Sequence, residues 1–269
     1  MSSSMVLFEI RDHVAFITLN SPETYNTLVE EVQEALREAV AAINNNPGIL
    51  AAVITGAGRA FSAGGDLKKM KANLDRGIHF KEKMDGYQTW AGKTTVILSQ
   101  LEVPVIAAIN GAAVGAGLSI AMLCDYRIAS SRAKFGVPFA QRGLIPDYGA
   151  SYNLARLAGI SRAMELACTG RIFTAADALS YGLVDEVVEP DELMVRVNEL
   201  LDQMRQSSPY ALRKAKKAIY DAAHRREDIE AATFNESLAM AYCFTSEEHR
   251  EGVESFLEKR PADFAKFHR

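Results

Sequence analysis

Apolar and polar residues alternate over positions 5–10 and 13–20, on either side of Arg11-Asp12, and this period of two predicts a β-hairpin. From 27 to 45 the period changes. Leu28, Val32, Ala35, Leu36, Ala39, Val40 and Ile43 recur at helical spacing and stop at Asn44-Asn45-Asn46-Pro47-Gly48. Residues 49–55 form a short β-rich apolar run, so strand, helix and strand make a right-handed β-α-β crossover. A long helix is expected over 79–100, a buried strand over 104–109, and a second short strand over 126–129. Between those strands lies Asn110-Gly111, then Gly115-Ala116-Gly117, then a renewed apolar run from Leu118 to Leu123: a glycine turn opening a helix. A helix is expected from 149 to 158. Thr174 to Asp177 starts a short helix that Gly182 ends, Leu183–Val188 supplies a last strand, and Ser208-Pro209 opens a helix running to about Ala222. Phe256, Phe264 and Phe267 mark the end of the chain.

Three places in this pattern carry candidate chemistry. A helix that begins on Gly-Ala-Gly presents backbone N–H groups with no bulky side chain over them, and such an end favours an anion or a developing oxyanion. The same glycines also suit a core helix packed at close range. Ala63-Gly64-Gly65-Asp66 is a second small-residue loop after a strand, with Asp66 expected to cap a helix from Leu67. Both loops are expected at the carboxyl edge of a parallel sheet, where ligands sit in α/β folds. Asp147, between Leu144-Ile145-Pro146 and Tyr148-Gly149, either caps the following helix or is a desolvated carboxylate suited to proton transfer; the two roles are compatible. Gly56-Ala57-Gly58 is only a partial dinucleotide fingerprint, because Phe61 stands where the third glycine belongs.

Composition narrows the class. The 269 residues are 48% hydrophobic and 24% charged with a net charge of −4, ordinary for a globular protein and without the basic excess of a nucleic-acid binder. The cluster Arg213-Lys214 and Lys216-Lys217 is expected to be a solvated helix face or a contact for a phosphorylated ligand. Cys124, Cys168 and Cys243 are too scattered for a metal site and are expected to be buried free thiols. The 103–124 stretch is long enough for a membrane span, but Pro104, Asn110 and its glycines argue against one. With no export signal visible in MSSSMVLFEI, a cytoplasmic location is expected.

TGAGRAFSAGGDL, PVIAAINGAAVGAGLSIAMLCD, GLIPDYGASYNLARLAG and FLEKRPADF, in that order and spacing, resemble the enoyl-CoA hydratase/isomerase, or crotonase, superfamily. The resemblance implies an α/β fold, a spiral of β-β-α turns with a C-terminal helical layer. It divides the chain into a spiral core over 1–200 and a helical trimerisation region over 201–269. It implies an acyl-CoA thioester as the ligand, no cofactor beyond the coenzyme A of the substrate, no metal, and a homotrimer or dimer of trimers. The oxyanion hole carried over by position is the pair of amides of Gly65 and Ala116. Ala63, Asp66, Leu67 and Lys68 are implied beside the CoA chain, Phe139 beside the substrate, and Lys259 at a CoA phosphate.

The departures from the family pattern bear on the reaction. Hydratases of this family use two glutamates to activate water, and their positions here hold Ser119 and Phe139. A serine is a poor base at neutral pH and a phenylalanine moves no proton. Asp147 is the remaining acid. Phe139 with G-L-I-P-D resembles the isomerase branch typified by 1,2-epoxyphenylacetyl-CoA isomerase. The expectation is therefore an isomerase that shifts a double bond or opens a ring epoxide by enolate chemistry, with a hydratase or a non-catalytic acyl-CoA binder as alternatives. A dehalogenase reading lacks its histidine, whose place falls near Gly92. Tyr25, Phe80, Met84, Tyr87, Trp90, Phe139 and Tyr148 are candidates for an aromatic-friendly pocket, so the acyl group stays open between fatty, aromatic and alicyclic.

Overall fold

The computed structural model describes residues 5–77, 82, 84–85, 91–207, 209–222, 229–230, 233–234, 237, 240–241 and 243–262. Phe80, Tyr87, Trp90, Phe264 and Phe267 lie outside them, as do nine of the 22 residues of the helix expected over 79–100.

The chain opens on the expected hairpin, β1 (Val6–Arg11) and β2 (Val14–Leu19), antiparallel with Val6 opposite Leu19. Its turn residues Asp12 and His13 both have positive φ, 47° and 66°, which matches the twist of the flanking strands. Helix α1 (Glu30–Asn44) buries Val32, Leu36, Ala39, Val40 and Ile43, the stripe that the periodicity marks out. It leads to β3 (Ala51–Gly56), parallel to β2, which completes the crossover.

From β3 onward each turn of the chain contributes one strand to each of two sheets. β3 is followed by β4 (Ala60–Ser62) and helix α2 (Leu67–Arg76); helix α3 (Lys93–Ser99) comes next. β5 (Val105–Ile109) is followed by β6 (Ala112–Val114) and helix α4 (Ala116–Leu123). β7 (Tyr126–Ser130) is followed by β8 (Lys134–Gly136), a 3-10 turn at Ala140–Arg142, and helix α5 (Ala150–Thr169), broken at Gly159. Then come β9 (Ile172–Thr174), α6 (Ala175–Ser180) and β10 (Glu186–Val188). The larger sheet runs β1-β2-β3-β5-β7-β10 and the smaller β4-β6-β8-β9. These are the implied β-β-α turns of the crotonase fold.

Sequence periodicity alone missed the smaller sheet. Its strands are three residues each, too short for an alternation to register, and Ala112-Ala113-Val114 is hidden in what looks like a glycine turn. The inner strands β3 and β5 of the larger sheet are buried on both faces, which is why they read as continuous apolar runs. Ala52, Ile54, Ala107 and Ile109 join the main core. Val53, Ile106, Ala108 and Ile128 face α7 (Leu193–Met204) through Leu193, Val197 and Leu201.

Helix α8 (Pro209–Ala222) corrects the reading of the basic cluster. Arg213 donates to the carbonyls of Asn46 and Ile49 and pairs with Glu102, and Lys216 bonds Asp125 and the Val103 carbonyl. Their side chains are only 12% and 10% exposed, so half of the cluster clamps the helix to the sheet, and only Lys214 and Lys217 face solvent. Helix α9 (Glu247–Leu257) packs on α2 and on the 140–142 turn. Arg250 donates to the Leu74 carbonyl, and Lys71 pairs with Glu254. Of the cysteines, all free, Cys124 is buried and Cys243 half-buried, but Cys168 is exposed, against expectation. Among the described residues no helix is long and apolar enough to cross a membrane, and no group of three His, Cys, Asp or Glu is placed to hold a metal.

Candidate active site

Neighbouring parallel strands bring the two small-residue loops together. β4 pairs with β6, Ser62 opposite Ala113, so the chain leaving each strand turns at the same edge. At Gly64, φ is +83°, and a Cβ there would lie 2.7 Å from the Val114 oxygen and 3.0 Å from the Ala116 nitrogen. Glycine is required on both counts. Gly115 (φ 56°, ψ −129°) is likewise in a region closed to other residues.

The direction of each amide follows from peptide planarity. A trans peptide points its C=O and N–H in opposite directions, and the described chain holds no cis bond. The Gly64 carbonyl accepts from Leu28 N–H at 2.8 Å, which turns the Gly65 N–H away from that segment. The Gly115 carbonyl accepts from Ser119 N–H at 3.0 Å and Ser119 Oγ at 3.1 Å, so the Ala116 N–H points outward from the start of α4. Among the described residues neither N–H donates to an acceptor. Ser119 is fully buried, and its hydroxyl supports the Gly115 carbonyl.

β8 extends the same edge, since Val114 pairs with Gly136 and Gly115 N–H donates to the Gly136 carbonyl at 3.0 Å. Two residues beyond Val137 the chain reaches Phe139, buried, with its ring tip 3.8 Å from where a Gly115 Cβ would be. The Phe139 carbonyl accepts from Arg142 and Leu144, closing the turn that delivers Asp147. Asp147 is 7% exposed, as a desolvated carboxylate requires. Asp147 lies two residues ahead of the cap position of α5. The cap residue of α5 is Gly149, and the Asp147 carbonyl accepts from Ala150 N–H at 3.0 Å. Between Asp147 and the helix, Tyr148 (φ 53°) and Gly149 (φ 74°) are both left-handed and form a sharp corner. A non-glycine residue pays roughly 1–2 kcal/mol for that conformation. Strain of this kind gathers at functional sites. Burial, and then the charge of Asp147, push the Tyr148 phenol well above its ordinary value, while the Arg37 guanidinium acts the other way; Tyr148 therefore keeps its proton at neutral pH. Helix α3, whose cap is Gly92, flanks this corner through Thr95.

Asp66 caps α2 as expected, accepting from the N–H groups of Lys68 (2.9 Å) and Lys69 (3.2 Å). Ala63 and Lys68 are exposed and Leu67 half-buried, so they rim the loop. Lys259 is exposed, left-handed at φ 56°, at the end of α9, the helix that abuts α2. Of the proposed pocket aromatics, Phe139 and Tyr148 are buried at the site, whereas Tyr25 is exposed and carries Arg59 on its ring. Sequence reasoning missed Ser62, whose Oγ accepts from Gly64 N–H at 3.1 Å, and Asn26 behind it. The available signal was a serine closing the buried strand Ala60-Phe61-Ser62. An open cavity of about 550 Å³ around Gly159, Arg162 and Tyr181 lies at the break in α5 and shares none of these residues.

Comparison with known proteins identifies the family. The family model described as enoyl-CoA hydratase/isomerase matches residues 9–267. The chain is 37% identical to the short-chain-enoyl-CoA hydratase of Clostridium acetobutylicum, over 97% of each chain. It is 34% identical to the crotonyl-CoA hydratase of Syntrophomonas wolfei, over 98% of this chain and 99% of the other. Among solved structures, the enoyl-CoA hydratase from Bacillus halodurans superposes with a TM-score of 0.85 at 30% identity, covering 94% of this chain and all of that one. A sheet edge that gathers two glycine loops and a buried acid, matched over nearly its whole length, places this chain in the enoyl-CoA hydratase/isomerase (crotonase) family.

Proposed function

We propose that this chain transforms an unsaturated acyl-CoA thioester through an enolate, with the Gly65 and Ala116 amides holding the thioester oxygen and Asp147 moving the proton. The observation that carries this reading is the adjacency of the two amide loops, each amide aimed by a bond to its partner carbonyl. Each such donor contributes roughly 3 kcal/mol to lowering the barrier, and acid–base transfer adds about 10²–10⁴-fold.

Two reactions share this intermediate. Hydration is the reaction in the names of the relatives, and the comparisons favour it over the isomerisation expected from sequence. It would require Asp147 to activate water alone. Isomerisation is favoured by the side chains instead: the Ser119 hydroxyl is engaged with a carbonyl and Phe139 has no proton to give, so one acid serves both ends of a proton shift. Exposed Ile160 (74%) and Met164 (58%), one helical turn apart, support assembly into trimers or paired trimers.

But-3-enoyl-CoA and crotonyl-CoA in D₂O separate the reactions. Hydration removes the conjugated absorbance of crotonyl-CoA and adds the mass of water. Isomerisation creates that absorbance from but-3-enoyl-CoA with no added water. In either case Asp147→Asn is expected to lower exchange of the acidic substrate proton by about 10²–10⁴-fold while butyryl-CoA still binds. Wild-type exchange in that variant would remove Asp147 from the mechanism.

A further inference from the structure

Asn26 is fully buried and left-handed (φ 57°), following Tyr25 (φ 55°) in a loop between β2 and α1. Its three side-chain hydrogen bonds all go to main chain. Oδ1 accepts from Ser21 N–H at 2.9 Å, and Nδ2 donates to the carbonyls of Ala57 at 3.0 Å and Ala60 at 2.8 Å. One side-chain amide thus fastens the 21–26 loop to the turn between β3 and β4.

The segment so fastened grips the loop that carries Gly65. The Tyr25 carbonyl accepts from Ala63 N–H at 2.9 Å. The Asn26 carbonyl accepts from Ser62 Oγ at 2.7 Å, and Ser62 Oγ in turn accepts from Gly64 N–H at 3.1 Å. Leu28 N–H holds the Gly64 carbonyl at 2.8 Å. Residues 25–28 therefore fix both ends of Gly64, and the next donor along the chain, Gly65 N–H, is aimed by the plane of the peptide it shares with that carbonyl.

We infer that Asn26, acting through the Ser62 hydroxyl, is the positioning residue that aims the Gly65 amide at the substrate's thioester oxygen; this rests on the two-amide reading of the site. It touches no substrate. Asparagine is needed because only a side chain with both an acceptor and two donors satisfies Ser21, Ala57 and Ala60 together. An aspartate of the same shape would face two carbonyl oxygens with a carboxylate.

The test uses Ser62→Ala, which removes one buried hydroxyl from the relay, and Asn26→Asp as a second variant. The probe is butyryl-CoA labelled with ¹³C at the thioester carbon, unreactive and read by isotope-edited infrared difference spectroscopy. In the wild type the carbonyl stretch falls on binding, as polarisation by two donors requires. Ser62→Ala is expected to melt as a folded protein and to bind butyryl-CoA within about threefold. Its bound stretch is expected to return toward the free-ester value, with kcat reduced about 10²-fold and KM little changed, the cost of misplacing a reacting group by roughly 1 Å. The same pattern in Asn26→Asp extends the relay to the asparagine; should that variant fail to fold, Ser62→Ala decides alone. A folded Ser62→Ala with the wild-type stretch and kcat overturns the inference, as does a loss confined to KM. A wild-type protein that shows no shift at all refutes the two-amide reading itself, and the inference with it.

Discussion

Gly64→Ala tests whether the two loops act as one device. The added Cβ would stand 2.7 Å from the Val114 oxygen, against a comfortable carbon–oxygen approach of about 3.3 Å, so the loops must separate by roughly 0.6 Å. The same atom lies 3.0 Å from the Ala116 nitrogen, so the displacement is directed at an amide assigned to the oxyanion. Losing one such donor outright costs about 10²–10³ in kcat, and a shift of this size should reach the lower end, about 10²-fold. The left-handed conformation adds strain of about 1–3 kcal/mol, which lowers Tm by roughly 2–4 °C per kcal/mol for a domain of this size. Gly77→Ala is the control. Gly77 is also left-handed, φ +71°, but a Cβ there would meet nothing within 4 Å. It should lose a similar amount in Tm and keep its kcat. Steady-state turnover on the better of the two butenoyl esters, with thermal melts followed by circular dichroism, measures both. A folded Gly64→Ala with kcat within threefold of wild type, or a Gly77→Ala that loses as much activity, would refute the reasoning.

Lys216→Met should leave the reaction alone and loosen α8. It removes the ammonium that bonds Asp125 and the Val103 carbonyl, while Asp125 keeps Val105 N–H at 2.7 Å and the Tyr220 hydroxyl. Breaking a fully buried pair costs 3–5 kcal/mol; with those partners retained, about 2 kcal/mol is expected in urea unfolding. Glu165, half-buried and bonded by Arg171 and then Arg162, has its carboxyl lowered from 4.5 to about 2. A carboxylate lowered in the folded state stabilises above its unfolded value and loses that contribution as pH falls, here between about 4.5 and 2. The gap in Tm between wild type and Glu165→Gln should therefore close as pH drops through that window, and a gap that persists at its acid end would count against the pairing.

The legible parts of the fold were those with a long enough period. Helix α1 repeats its stripe over fifteen residues, and the strands of the larger sheet other than β10 are five or six long, so both could be read from residue type. β4, β6, β8 and β9 could not, because three residues form no pattern. The glycines of both loops were visible, since glycine marks a backbone need whatever the fold. Asp147 was visible as an acid ahead of a helix, but the left-handed Tyr148-Gly149 corner between it and α5 was not, because Tyr148 gives no sign in its residue type of a positive φ. Asn26 was not legible. Its partners Ala57 and Ala60 lie 31 and 34 residues away, and nothing local distinguishes it from an ordinary loop asparagine.

The groups assigned to polarise the substrate are main-chain atoms, held by Leu28 and Ser119 through the carbonyl on the far side of each peptide. Replacing the side chain at 139 or 147 leaves those atoms where they are. A lineage built on this scaffold is therefore free to trade one acid or wall for another and explore neighbouring reactions singly, because the part that is hardest to rebuild is inherited unchanged.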